Sequence, residues 1–298
     1  MDHDRHADAR HTPWSDPGAH KARLRELPAG GIALADALEE FVIHHAVARF
    51  LGFGVPEAAE GDRDLRKACR LLDAALGRDG RPLSAHRDLA DYLYVTCRDF
   101  ALLAASVLRE NGVPARLRVG FAGYFNAGKW EDHWICQHWT GERWAALDAQ
   151  LGRRARTGMG LTFDVADVPD TGWRSAPSIW RGIRAGAIDP EACGLSYAGL
   201  TGPWFVASSV LRDAAALAGI ETLPWDYWGP GREFGATRQV PDERARDIDR
   251  LAAALDPAPD TRREAEAVLD RFPWARPTPT ILTFPQGRRG AAEIVLAS

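Results

Sequence analysis

Residues 95–121 read VTCRDFALLAASVLRENGVPARLRVGF, and this stretch opens in the form of a capped helix. Thr96 and Asp99 make an S/T-x-x-D/E pattern just ahead of an apolar run, the sequence form of a capping box. Phe100, Leu103, Ala104, Val107 and Leu108 follow at helical spacing, and Asn111-Gly112 with Pro114 supplies the stop. The pattern predicts a helix from Cys97 to Asn111 with Cys97 in its first turn. Unpaired backbone N–H groups and the positive end of the helix dipole stabilise a thiolate there. The same amides can stabilise an oxyanion on a substrate carbonyl. An inert cysteine on a core helix would give the same local pattern, so the helix alone does not decide.

Working outward, Ala115–Phe121, His133–Trp139 and Arg143–Leu147 have strand character. Along the second, His133, Ile135, Gln137 and Trp139 share one face and Cys136 points to the other. Thr140-Gly141 is a turn, and Arg143-Trp-Ala-Ala-Leu-Asp148 returns as the other arm of a hairpin. A two-residue loop puts His133 opposite Asp148, a four-residue loop makes them diagonal neighbours on one face, and a three-residue loop separates their faces. Directly opposed side chains have Cβ atoms roughly 4.5–5.5 Å apart, close enough for a carboxylate to hold an imidazole. A structural histidine and a turn-starting aspartate are the alternative.

Away from the hairpin, Ile32–Phe53 and Asp62–Leu76 have helical patterns, and a GRDGRP loop follows. Residues 150–200 are mixed, with Cys193 in an irregular loop. Helices are expected at about Trp204–Ala218, Pro241–Leu255 and Thr261–Arg271, ahead of a Pro-rich tail. The domain reading is a flexible segment 1–20, a helical region 21–90, a core 91–170 and a mostly helical region 171–298 packed on or capping the core. Helices on either side of a compact strand region make an α+β chain.

The net charge of −4 leaves no electrostatic footprint for nucleic acid or an anionic membrane. The N-terminus has no apolar run, no stretch is long and apolar enough to span a bilayer, and the protein is expected to be cytoplasmic. The four cysteines are scattered, which favours free thiols over disulfides or a zinc site. His44 and His45 are adjacent and cannot both face one metal in the manner of i, i+4 ligands. No metal or cofactor is called for.

Four separated elements, Cys97, Gly112-Val-Pro-Ala-Arg116, His133-Trp134 and Trp144…Asp148, occur in the order found in the transglutaminase-like superfamily, which the chain resembles over roughly residues 90–155. Thr12-Pro-Trp-Ser-Asp16 and Leu223-Pro-Trp-Asp226 also look like parts of bacterial transglutaminase-domain proteins. The resemblance implies a papain-like core, a cysteine-bearing helix on an antiparallel sheet. It implies Cys97 as nucleophile, His133 as general base and acid, and Asp148 as orienter of His133. The chain departs from the family in having no calcium-loop cluster and no zinc cysteines; upstream of Cys97 no side-chain oxyanion donor is identified, Tyr92 and Tyr94 being candidates and the backbone N–H of Cys97 the better one.

The expected chemistry is acyl transfer through an S-acyl enzyme on an amide, ester or thioester of a peptide or small molecule. Hydrolysis makes the protein peptidase- or amidase-like. Transfer to an amine makes it an amide-forming acyltransferase in specialised metabolism, and a non-catalytic binding protein is the competing class. Arg98, Trp130 and Asp132 flank these positions and are candidates for binding substrate, Arg98 having a solvated first-turn position as its alternative.

Overall fold

The capping box of residues 96–99 forms in the computed structural model, which describes residues 5–286 and 290–296. The chain divides into two compact units. One is Met1–Arg116 with Ile135–Val168 and Pro285–Arg289, and the other is Leu117–Trp134 with Pro169–Phe284 and Gly290–Ser298.

The first unit holds helices α1 (Lys21–Arg25), α2 (Gly31–Leu38), α3 (His45–Phe50), α4 (Ala68–Arg78), α5 (Cys97–Glu110) and α6 (Arg153–Met159). Every residue of α5 except Glu110 is buried, and the helix packs on α1, α2 and α4. Its burial all round explains why its apolar stripe is broader than an amphipathic surface helix needs.

The single helix expected over Ile32–Phe53 is divided. Strand β1 (Val42–His44) interrupts it and pairs in parallel with β2 (Leu93–Val95), Val42 against Leu93 and His44 against Val95. Val42 and Ile43 are β-branched and fit a pleated surface better than a helix interior. The second helix starts at Ala68 rather than Asp62, because Asp62 is engaged elsewhere. It takes the Arg78 guanidinium at 2.6 Å and the Tyr94 N–H at 2.9 Å. The GRDGRP loop is held from inside by Arg87, which donates to the carbonyls of Asp79, Arg81, Leu83 and Ala85.

Residues 1–4 of the segment expected to be flexible lie outside the described residues. The remainder is tied down. Thr12 and Ser15 exchange hydrogen bonds between backbone N–H and hydroxyl at 3.0 and 3.1 Å. From α5, Arg109 donates to the Ser15 hydroxyl at 2.7 Å and Ser106 to the Ser15 carbonyl at 2.6 Å. Composition gave no sign of these partners, which lie about ninety residues away.

Strand β3 (Ala115–Ala122) and strand β4 (Trp130–Trp139) agree with the expected strands, β4 starting earlier than its pattern suggested. In the first unit the end of β4 pairs antiparallel with β5 (Trp144–Leu147).

The second unit adds strands β6 (Trp173–Ser175), β7 (Cys193–Leu195) and β8 (Leu200–Thr201), in the order β6-β3-β4-β7-β8. Here β7 runs parallel to β4, Trp130 facing Cys193, so the ladder is mixed rather than purely antiparallel as expected. The long segment between these strands gives the room that a parallel crossover requires. It also places Cys193 on a buried strand instead of in an irregular loop. Helix α7 (Ala176–Arg184) precedes α8 (Pro203–Leu217), which is buried from Trp204 to Leu217. Around it pack α7, α9 (Pro230–Thr237), α10 (Asp242–Leu255) and α11 (Arg262–Arg271). A small sheet of β9 (Asp226–Tyr227), β10 (Thr280–Thr283) and β11 (Ala292–Val295) completes the unit. The fold class is α+β. Among the described residues, no helix is long and apolar enough to cross a membrane.

Candidate active site

Cys97 is the first residue of α5, directly after β2 and the Thr96 cap, and is 5% exposed. Asp99 closes the box by accepting from the Thr96 N–H at 3.0 Å and the Thr96 hydroxyl at 3.1 Å. Its other oxygen takes the Arg98 guanidinium at 2.9 Å. Burial pushes the Asp99 carboxyl up, against the opposing pull of Arg98 and the Thr96 hydrogen bonds. Arg98 is fully buried rather than solvated and also donates to the Arg66 carbonyl at 2.7 Å. Its visible work is to brace the first turn of the cysteine helix.

The two tyrosines ahead of the cap are buried, and their hydroxyls are engaged. Tyr94 donates to the Leu89 carbonyl at 2.9 Å, and Tyr92 accepts from Arg154 at 3.3 Å. Burial pushes both phenols up.

His133 lies on β4 and is 2% exposed. Phe125 and Tyr124, from the loop before the strand, set their rings edge-on to the imidazole, with centroids 4.9 and 6.1 Å away. The His133 carbonyl accepts the indole N–H of Trp173 at 2.9 Å. That contact depends on Gly120, whose neighbour across β6 is Ser175. A Cβ at Gly120 would stand 2.3 Å from the Trp173 ring and 2.2 Å from the Arg174 carbonyl. Gly120→Ala is therefore expected to lower stability by about 1–3 kcal/mol, the usual cost of overpacking, and to loosen the Trp173 bond to His133. A urea midpoint equal to that of the wild type would remove this role for the glycine.

In the β4–β5 ladder Trp139 faces Trp144 and Cys136 faces Leu147, so the loop is the four-residue alternative, Thr140–Arg143. Carried one step further, the register sets Asp148 against Ile135, and His133 stands two residues before Ile135 on the same strand face. Asp148 is 1% exposed. Its N–H donates to the Val165 carbonyl at 2.8 Å, and its Oδ1 accepts from the Gln150 N–H at 3.1 Å.

Trp130 is half-buried under the Arg174 guanidinium, 5.4 Å from its ring centroid. Asp132 is partly buried, and desolvation pushes its carboxyl up to about 6, with Glu131 adding to the rise and Arg212 and His133 opposing it. An acid whose folded pKa is raised loses stability as pH climbs from its unfolded value to its folded one. Asp132→Asn is accordingly expected to stabilise the fold at pH 7 by about 1–2 kcal/mol, a gain that vanishes below about pH 4. Urea midpoints at the two pH values check this, and a gain that is no larger at pH 7 than at pH 4 would contradict it.

Neighbouring Glu131 escaped the sequence reading. It accepts from the Asn126 amide at 2.7 Å, the Ser196 N–H at 3.0 Å and the Ser196 hydroxyl, tying two loops to β4. Tyr124 and Phe125 were also missed, although an aromatic pair just before a histidine strand was a usable signal.

The other cysteines sit elsewhere. Cys136 is buried on the face of β4 away from His133, and Cys69 is half-buried on α4. Burial, with Asp189 adding to it, pushes the Cys193 thiol up to about 12. Burial holds His45 down at about 4, and its ring stacks on that of His44. Among the described residues, no group of three or more His, Cys, Asp or Glu is placed to hold a metal ion.

No curated protein and no solved structure matches the chain. Residues 80–149, which carry β2, α5, β3, β4 and β5 with Cys97, His133 and Asp148 among them, match the family model of the transglutaminase-like superfamily.

Proposed function

We propose that this chain is a cysteine-dependent acyl-transfer enzyme with a papain-like catalytic core. In this reading Cys97 is the nucleophile, His133 the general base and acid, and Asp148 the group that orients His133. The observation that carries it is Cys97 at the start of a buried, capping-box helix inside the span matched by the family model. A helix N-terminus lowers the energy of a thiolate and offers N–H groups to an oxyanion.

The chemistry runs from a thiolate and a protonated His133. The sulfur adds to the carbonyl carbon of an amide, ester or thioester, and the carbonyl oxygen takes the negative charge. As the carbonyl re-forms, the bond to the leaving group breaks, and His133 gives that group its proton. The product is an S-acyl enzyme. Water, deprotonated by His133, then adds to the thioester and expels the Cys97 thiolate, leaving the acid and a protonated His133. This outcome is peptidase- or amidase-like. An amine in place of water makes an amide-forming acyltransferase of the same residues, and the burial of Cys97 and His133 favours exclusion of water. The substrate in either case is a peptide or small molecule, met in the cytoplasm rather than on nucleic acid or at a membrane.

Intact-mass labelling with iodoacetamide across pH tests the reading. Cys97 is expected to alkylate quickly well below about pH 8.5, where an ordinary thiol is protonated. The label should vanish in Cys97→Ala and slow in His133→Ala, while Cys193 stays inert throughout. A Cys97 that reacts no faster than Cys69 would favour a binding protein that keeps the fold without its chemistry.

A further inference from the structure

Glu131 stands two residues before His133 on the same face of β4, is 6% exposed, and has only neutral groups as its described partners. Its Oε1 accepts from the Asn126 amide at 2.7 Å and from the Ser196 hydroxyl, and its Oε2 accepts from the Ser196 N–H at 3.0 Å. Burying a carboxylate without a cation beside it is costly, and hydrogen bonds to the charged form are what offset the cost. Such bonds are about twice as strong as neutral ones. The carboxylate is therefore a firm anchor for the segments that donate to it.

One of those segments is the loop before β4. The Gly123 N–H pins its first end to the Gly172 carbonyl at 2.8 Å, and the Lys129 N–H closes a turn on the Asn126 carbonyl at 3.1 Å. Between these points Tyr124 and Phe125 set half-buried rings against the His133 imidazole. Asn126 comes next and is itself exposed, so its side-chain bond to Glu131 is what ties the aromatic pair back to the strand. Direct contacts thus run from Glu131 through Asn126 and Phe125 to His133, the last step a ring separation of 4.9 Å. All of these residues belong to the second unit, and His133 is buried at the end of the series.

We propose that Glu131 is a positioning residue for His133. Through Asn126 it clamps the Tyr124–Phe125 pair over the imidazole, and this cover restricts attack of water on the S-acyl enzyme. The clamp stands on the contacts alone, and only its consequence for water rests on the acyl-transfer reading.

The first measurement is carbethoxylation of His133 by diethyl pyrocarbonate, read by peptide mass mapping in the full chain carrying Cys97→Ala. That background removes the nucleophile, so the result does not depend on acyl transfer. Asn126→Ala is expected to raise the His133 labelling rate about tenfold or more, the factor implied by losing a hydrogen bond to a charged group. Asn126→Gln, which keeps an amide donor, should restore part of the protection. Glu131→Gln should raise labelling as well, because one oxygen becomes an NH₂ group that meets another donor. If Glu131→Gln fails to fold, Asn126→Ala decides, since its site is exposed. Labelling of Asn126→Ala at the parent rate would overturn the proposal. So would faster labelling in Glu131→Gln alone, which would mean that Glu131 acts on the imidazole without the loop.

The second measurement keeps Cys97 and supplies p-nitrophenyl acetate with glycinamide, subtracting the reaction of Cys97→Ala. The ratio of acetate to N-acetylglycinamide does not depend on how much enzyme is folded, and a weakened base affects both products alike. The ratio should rise several-fold in Asn126→Ala. Faster labelling with an unchanged ratio would overturn the role in restricting water. Faster labelling with no S-acetyl enzyme in the parent chain would sink the acyl-transfer reading while leaving the clamp standing.

Discussion

Asp213→Ala is expected to lower the unfolding free energy by about 3–5 kcal/mol, the usual result of removing one member of a buried ion pair. Asp213 is wholly buried on α8 and accepts from Arg118 Nε at 2.9 Å, Arg118 Nη2 at 2.8 Å and the Val119 N–H at 2.8 Å. Arg118 is itself only 3% exposed, so alanine leaves a guanidinium and a backbone N–H without their acceptor and away from water. Asp213→Asn separates these contributions. Its amide oxygen still accepts from Val119 and from Arg118 Nε, whereas the charge and the bond from Arg118 Nη2 to Oδ2 are lost, so the asparagine variant should lose less than the alanine variant. Urea unfolding of both at pH 7 measures the difference. Equal losses would assign the whole effect to the charge and the Arg118 Nη2 bond, and a loss near zero for alanine would mean that the unit relaxes around the gap.

The cysteine helix was legible because every signal for it is local. Cap, apolar spacing and Asn-Gly stop lie within sixteen residues of one another, and the helix runs from Cys97 to Glu110 as they require. The hairpin was legible up to its loop. Sequence spacing allowed two, three or four residues there, and only the ladder of Trp139 with Trp144 selects four. The failures share a cause. Val42–His44 follows a helical pattern until Leu93–Val95 offers it a parallel partner, and the Thr12–Ser15 turn reads as loose until Arg109 and Ser106 take hold of it. Each depends on a residue distant in sequence, where periodicity carries no information.

The second large effect concerns Asp148. Asp148→Asn is expected to slow acetylation of Cys97 by p-nitrophenyl acetate by about 10²–10⁴-fold, the range found when a base loses its orienting carboxylate or its own function. The substitution is a clean one in this setting. Two of the contacts of Asp148, its N–H to Val165 and its Oδ1 from Gln150, survive in asparagine, so the turn after β5 should remain while the charge disappears. The measurement is p-nitrophenol release, with intact mass reporting one acetyl group on Cys97, and with His133→Ala run in parallel. Both variants slowed to a similar degree would mark one functional unit, because groups that act together do not lose rate additively. If His133→Ala is slow and Asp148→Asn is not, Asp148 is the turn residue that its backbone contacts already describe. The imidazole would then need another orienter, and Glu131, two residues before His133 on the same face of β4, would be the next carboxylate to replace.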